Sequence, residues 1–180
     1  MEIKKELTTI ETESVRRLLA VNDPHQVDIN LVAKIREIPN VKLEFKTKGK
    51  FGSHGYEETF QKFDIDIPDI ATAIKIVKMV ELSMLPLPVK QIEAQLDLLA
   101  NLVVKPAGID DQQYLKKRKA MALQLSDFPA DIVALAIAKV AETCTFFPAY
   151  KEFCDHILWR IKLRRRLFDA LNDKMLDLTA

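Results

Sequence analysis

Glycine is confined almost entirely to one short stretch of this chain. Three of the four glycines, Gly49, Gly52 and Gly55, lie within seven residues, and the fourth is Gly108. β-Sandwiches need turn residues about every 8–12 positions, and collagen-like chains need glycine at every third position, so this distribution excludes both. The pattern predicts a mainly α (α+β) protein: a C-terminal helical bundle with a small N-terminal α/β-hairpin region.

Proline residues mark the expected starts of helices in the second part of the chain. Pro68, Pro129 and Pro148 are each followed by an acidic residue within one turn. Proline has no N–H to leave unpaired in a first helical turn, and a nearby carboxylate complements the positive end of the helix dipole. These signals and the apolar spacing predict helices over residues 68–84, 88–104, 110–125, 129–143 and 148–176.

The first 67 residues have a different pattern. Two short helices are expected, over residues 6–20 and 28–37. Apolar residues then alternate with charged ones from Val41 to Phe45, and apolar spacing resumes from Phe60 to Ile65, which predicts a β-hairpin with a long tip at residues 48–55. We therefore predict a small N-terminal region, residues 1–67, and a helical domain, residues 68–180.

The segment from Asp131 to Ala141 is apolar on nearly all of its helical faces. A helix of this kind is buried on most sides. We expect it to be the central helix of the bundle, around which the other helices pack.

No catalytic or cofactor-binding motif is recognisable. The stretch from Gly49 to Gly55 lacks the Gly-Lys-Ser/Thr ending of a phosphate-binding loop. Cys144, Cys154 and His156 lie close together, but their spacing matches no known zinc motif, and small thiols are common in protein cores. The sequence therefore predicts a protein that is not an enzyme and has no metal and no cofactor.

The N-terminus and the cysteine count favour a cytoplasmic location. Residues 1–6 lack the apolar core of a signal peptide, and two cysteines cannot form a multi-bridge framework. The most apolar stretch, from Ile132 to Ala141, contains Lys139 and is too short to cross a bilayer. No membrane role is predicted; the location is host cytoplasm if the chain is phage encoded.

Positive charge is concentrated in three segments, although the formal net charge is only +1. Residues 42–50, 116–119 and 160–166 carry net charges of +3, +4 and +5. Such segregation suits either an acidic protein partner or a phosphate backbone. The candidate partner-binding residues are Lys116, Lys119, Lys162, Arg165 and Arg166, and the candidate nucleic-acid-binding residues are Lys46, Lys48, Lys50, Arg165 and Arg166. Asp169 and Asp173 are expected to offset part of the last segment by i to i+4 pairing.

Three arginines differ from the other cations because they lie within apolar helical stripes. They are Arg118, Arg160 and Arg164. A guanidinium on an apolar face needs a carboxylate or carbonyl partner, or it extends to a rim that a partner protein covers. Of these two we expect an internal ion pair with an acid such as Asp127 or Asp131. Trp159 lies beside the last stripe, where it is either part of the core or an interface anchor, and we favour the core.

One run of the sequence resembles a known family. It comprises Tyr114, then Leu125-Ser-Asp-Phe128-Pro129-Ala130-Asp131-Ile132-Val133, Ala136, Phe146-Phe147-Pro148 and Glu152. These residues, within 114–152, resemble the replicative helicase loader/inhibitor proteins among the small helical proteins of tailed phages and prophages. The resemblance implies a non-enzymatic adaptor in phage DNA replication that binds the replicative helicase or another replication protein.

Two other functions fit the same residues. The basic hairpin tip and the basic last helix are typical of a nucleic-acid-binding protein, with DNA as the partner. The apolar helices also fit an oligomeric structural or assembly protein. The expected function is the adaptor, with these two as alternatives.

Overall fold

The structure, a computed structural model, describes residues 8–21, 23–52 and 55–179, without the side chains of residues 47–52 and 55–61. The helices are α1 (Thr9–Val21), α2 (Pro24–Arg36), α3 (Ile70–Ser83), α4 (Val89–Leu102), α5 (Asp111–Leu125), α6 (Ala130–Thr143) and α7 (Tyr150–Thr179), and the strands are β1 (Lys42–Gly52) and β2 (Gly55–Asp66). The prediction of a mainly α protein with a small β-hairpin is confirmed.

The proline residues stand at the start of helices, as predicted. Pro88 and Pro129 occupy the N-cap positions of α4 and α6 with extended backbone, φ −56° and −57°. The helix predicted at residue 28 instead begins at Pro24, because the carboxylate of Asp23 accepts a hydrogen bond of 2.9 Å from the His25 N–H and so caps α2 earlier. The last helix, α7, is a single run of 30 residues.

The start of α5 supplies a first testable prediction. The Asp110 carboxylate accepts a 2.7 Å hydrogen bond from the backbone N–H of Gln113. Asp110→Ala removes this acceptor and should lower the free energy of unfolding by about 1 kcal/mol, measured by urea denaturation. Gln112→Ala, two positions on in the exposed first turn, should leave stability nearly unchanged; equal losses in the two variants would contradict the capping role.

The described residues form two compact units that differ from the predicted division at residue 67. The first unit comprises Met1–Val27 and Leu82–Ile161, and the second comprises Asp28–Glu81 and Lys162–Ala180. The sequence pattern separates the hairpin region from the helices that follow it. In the structure, however, α2 and α7 each contribute residues to both units, so the second unit draws on both halves of the chain.

Within the first unit, α6 is the central helix, as predicted. Seven of its residues are buried, among them Ile132, Val133, Ala136 and Val140. It contacts α1 and α4, while α4 also contacts α5. The small side chain of Ala136, 1% exposed, permits close approach of neighbouring helices.

The second unit contains the hairpin. β1 and β2 pair in antiparallel register, with Leu43 opposite Ile65 and a register shift after Lys46. Pairing continues to Gly52 opposite Gly55, so the predicted loop over residues 48–55 is wrong: most of it is strand. The glycines were interpreted as turn signals, but the strands pair on both sides of the connection.

Candidate protein-binding surfaces

The predicted cationic residues are distributed over both units. Lys116 and Lys119 are exposed on α5 in the first unit, and Lys162, Arg165 and Arg166 are exposed on α7 in the second unit. The side chains of Lys48 and Lys50 lie outside the described residues.

Lys46, a candidate nucleic-acid contact, has a partner within the hairpin. Its ammonium group forms a salt bridge with the Asp64 carboxylate on the opposite strand. The hydrogen bond and charge of Asp64 raise the pKa of Lys46, and Lys46 in turn lowers the pKa of Asp64. This lysine therefore presents less positive charge to a phosphate backbone than its sequence context suggests.

Arg118 lies against the interior of the first unit, as predicted, but its partner is a different acid. Its Nη1 lies 2.8 Å from Asp97 Oδ1, and its guanidinium lies 4.8 Å from the centre of the Tyr114 ring. The side chain of Arg118 is 19% exposed. The expected pairing with Asp127 or Asp131 is wrong because α5 packs against α4, which brings Asp97 to the guanidinium.

Arg164 is fully buried in the second unit. Its Nε donates a 2.6 Å hydrogen bond to Asp28 Oδ1 on α2, and the two side chains are 0% and 9% exposed. The predicted inward orientation is confirmed, and Asp28 is an acid that the sequence pattern did not point to. Asp28 lies 136 positions away in the sequence, beyond the reach of any helical pattern.

Arg160 and Trp159 together form an unexpected surface feature of the first unit. Trp159 is 59% exposed, so its predicted core location is wrong. It is two residues from both Ile157 and Ile161, which are buried, and therefore lies about 200° around the helix from each of them. The half-buried Arg160 donates from Nη1 to the His156 carbonyl oxygen, and its guanidinium lies 4.0 Å from the Trp159 ring centre.

Leu158 extends this feature along α7. It is 47% exposed and adjacent to Trp159 in the sequence. We call Leu158, Trp159 and Arg160 the Trp159 surface. Tryptophan and arginine are enriched among the residues that carry most of the binding energy in protein interfaces, and stacking on Arg160 restrains the ring before any partner arrives.

A second exposed apolar pair lies elsewhere in the first unit. Val104 forms a parallel β-bridge with Phe146, in which the Val104 N–H donates to the Thr145 carbonyl at 2.8 Å. Val104 is 53% exposed and Phe146 is 59% exposed, whereas Phe147 beside it is buried. The bridge thus holds two apolar side chains toward solvent.

The surroundings of Cys144, Cys154 and His156 favour a structural role for these residues over a chemical one. Among the residues that the structure describes, no group of three His, Cys, Asp or Glu side chains is arranged to hold a metal ion. Cys144 Sγ donates to Glu152 Oε1 at 3.6 Å, and burial raises the pKa of its thiol. Burial likewise raises the pKa of Tyr150 to about 12, and a hydrogen bond between its hydroxyl and the Cys154 sulfur adds to the shift. A thiol with a raised pKa is a poor nucleophile at neutral pH.

The second unit contains a groove of about 360 Å³ between β2 and the C-terminal half of α7. It includes one predicted partner-binding residue, Arg166. The lining residues are Lys62, Phe63, Asp64, Ile65, Arg166, Asp169, Ala170, Asp173, Lys174 and Asp177. We call this the β2–α7 groove.

The aspartates of this groove are the feature that the sequence analysis missed. Asp169, Asp173 and Asp177 recur at i, i+4 and i+8 on α7, a spacing visible in the sequence. Asp169 and Asp173 were expected only to offset neighbouring cations, but neither forms an ion pair with another side chain that the structure describes. The row of carboxylates therefore remains available along the groove.

Comparisons of the chain with protein-family models, with curated proteins and with solved structures gave no match. Within the described part of the chain, no helix has the length and apolar character needed to cross a membrane.

Proposed function

We propose that the protein is a non-enzymatic adaptor that docks a partner protein through the Trp159 surface. The observation that supports this most directly is the 59% exposure of Trp159 beneath the Arg160 guanidinium. Tryptophan is enriched among the residues that carry most of the binding energy at protein interfaces, and arginine is enriched with it.

The energetics of burying the ring are favourable. A tryptophan side chain buries about 150–250 Å² when fully covered, and apolar burial contributes about 25 cal/mol per Å². Covering the exposed part of Trp159 therefore contributes about 2–4 kcal/mol toward association. Leu158, about 100° around the helix from Trp159, is 47% exposed and offers further apolar area.

The partner that we propose is a bacterial replicative helicase, in a phage or prophage replication system. This part of the proposal depends on the resemblance of residues 114–152 to the helicase loader/inhibitor family. Docking of this kind needs no covalent chemistry, which agrees with the raised pKa of the Cys144 thiol. The predicted contacts Lys116 and Lys119 belong to the same unit as the Trp159 surface and would approach acidic residues of the partner.

Because the chain contains one tryptophan, a spectroscopic signal from tryptophan reports on Trp159 alone. With 5-fluorotryptophan incorporated into this chain alone, the ¹⁹F NMR spectrum should show one resonance that shifts and broadens on addition of the helicase. Trp159→Ala should weaken the dissociation constant, measured by calorimetry, by at least about tenfold, since truncation of a central interface tryptophan costs about 2 kcal/mol or more.

The matched control is Leu123→Ala on α5, a residue that is 54% exposed and outside the Trp159 surface. The Leu123→Ala variant should bind the helicase with the same affinity as the unaltered chain. An unchanged ¹⁹F resonance at micromolar concentrations of both proteins would contradict helicase docking. A shift that depends on the concentration of this chain alone would instead favour the assembly protein, and DNA binding that weakens steeply with salt would favour the nucleic-acid-binding alternative.

A further inference from the structure

Arg160 differs from the other two arginines of the apolar helical stripes in its partner. Arg118 and Arg164 each form an ion pair with an aspartate of their own unit. Arg160 forms no ion pair with any residue that the structure describes, and donates instead from Nη1 to the His156 carbonyl oxygen. Of the two arrangements open to a guanidinium on an apolar stripe, Arg160 therefore fits the one in which a partner protein covers it.

The positive charge of Arg160 is incompletely compensated within the chain. The residue is half-buried, so its guanidinium has lost part of its hydration. This burial lowers the pKa of Arg160, and the charge of Asp23, which forms no ion pair with it, offsets only part of the effect. A carboxylate placed at the guanidinium would compensate the charge, because hydrogen bonds between ionised groups are stronger than neutral ones.

Arg160 also retains hydrogen-bond donors for such a carboxylate. Only its Nη1 has a hydrogen-bond partner within the described part of the chain. Nε and Nη2 are not buried without a partner, in contrast to Nε of Arg118, so both are open to solvent. The two atoms lie side by side in the planar guanidinium, and a carboxylate can accept from both at once.

Trp159 offers an apolar contact next to these donors. The Arg160 guanidinium lies 4.0 Å from the centre of the ring and so covers one face of the indole. A ring covered on both faces could not keep more than half of its surface exposed, and Trp159 is 59% exposed. The opposite face can therefore receive an aliphatic or aromatic side chain. An occupant that uses both features carries a carboxylate and a large apolar side chain close together.

We propose that the Trp159 surface recognises a partner segment in which an aspartate or glutamate and a large apolar residue lie on the same face. The apolar side chain covers the open face of Trp159, and the carboxylate accepts from Nε and Nη2 of Arg160. This specificity rests on the proposed function, in which the same surface docks a partner protein. Burial of the ring supplies most of the affinity, and the carboxylate selects the segment.

Three capped peptides serve as probes, titrated into the full chain carrying 5-fluorotryptophan with the ¹⁹F resonance of Trp159 as the readout. The parent peptide is Ser-Glu-Ser-Phe-Ser, in which the glutamate and phenylalanine side chains share one face about 6.6 Å apart when the chain is extended. The second peptide has Gln in place of Glu, and the third has Ala in place of Phe. The parent should bind with a dissociation constant of about 1 mM, and each replacement should weaken binding by about threefold or more.

Two variants separate a specific carboxylate contact from a general effect of charge. Arg160→Gln and Lys151→Gln each remove one positive charge from α7, but Lys151 is exposed and lies about 14 Å along the helix axis from Arg160. The Glu and Gln peptides should bind Arg160→Gln equally well. Lys151→Gln should keep a preference for the Glu peptide of about threefold or more.

Equal binding of the Glu and Gln peptides to the unaltered chain would overturn the acidic preference, while a weaker Ala peptide would leave docking through Trp159 standing. Absence of any shift with all three peptides at about 10 mM would also overturn it, and the helicase titration would then decide the docking function by itself. Tighter binding of adenosine monophosphate than of the parent peptide would overturn it as well, because a nucleotide can stack its base on the ring and pair its phosphate with the guanidinium.

Discussion

Replacing Asp28 with alanine is expected to lower the free energy of unfolding by about 3–5 kcal/mol. Arg164 is 0% exposed, and its Nε lies 2.6 Å from the Asp28 carboxylate. Asp28→Ala removes the carboxylate that this Nε contacts, while the guanidinium keeps its proton at any physiological pH and stays buried. Urea denaturation followed by circular dichroism measures the loss, and hydrogen exchange should show it first in α2 and the C-terminal half of α7.

Two variants separate the lost pairing from a general effect of mutation. The double variant Asp28→Leu with Arg164→Met removes both charges and should recover most of the lost stability, since apolar replacements of buried pairs are often neutral. Asp97→Ala removes the partner of Arg118, but Asp97 is 56% exposed and water can take its place, so the loss should be about 1 kcal/mol. A loss below 1 kcal/mol for Asp28→Ala would contradict the buried ion pair.

Phe153→Ala is expected to lower the free energy of unfolding by about 3–5 kcal/mol. Phe153 lies near the start of α7, is 0% exposed and belongs to the core of the first unit. Removing a buried ring loses its apolar transfer free energy and leaves a cavity that the surrounding core fills only partly. Thermal and urea denaturation should both show the loss.

The matched control for this variant is Leu158→Ala on the same helix. Leu158 is 47% exposed, so its truncation should change the free energy of unfolding by less than about 1 kcal/mol. Alanine has the higher helix propensity, so neither variant weakens α7 through its backbone. If the two variants lost the same stability, the assignment of Phe153 to the core would be wrong.

Helix positions were predictable from the sequence because their signals are local. Proline and acidic residues at helix starts depend only on neighbouring backbone groups, so α4, α5 and α6 begin within one residue of the predicted positions. The hairpin tip was not predictable in the same way. Glycine is compatible with both turns and strands, and only the pairing across to β2 decides between them.

The candidate surfaces were less predictable because they depend on distant residues. Helical spacing placed Arg164 inward correctly, but Asp28 is brought to it only by the packing of α2, 136 positions away. The core was favoured for Trp159 because it lies beside the apolar stripe of the last helix, but its position about 200° around the helix from Ile157 directs it to solvent. The β2–α7 groove could not be anticipated, since it requires that a strand and a helix from distant parts of the chain form one unit.

Because α7 is one uninterrupted helix, it limits which sequence changes the chain can accept. Ile157, Ile161, Arg164, Leu167 and Leu171 are all buried on one helix, and no loop separates them. A single inserted or deleted residue between Ile161 and Arg164 would rotate every later side chain by about 100° and turn a charged face inward. Substitutions on the outer face do not rotate the buried side chains. Related chains can therefore differ widely in the charge of α7, while the number of residues between Ile157 and Leu171 stays constant.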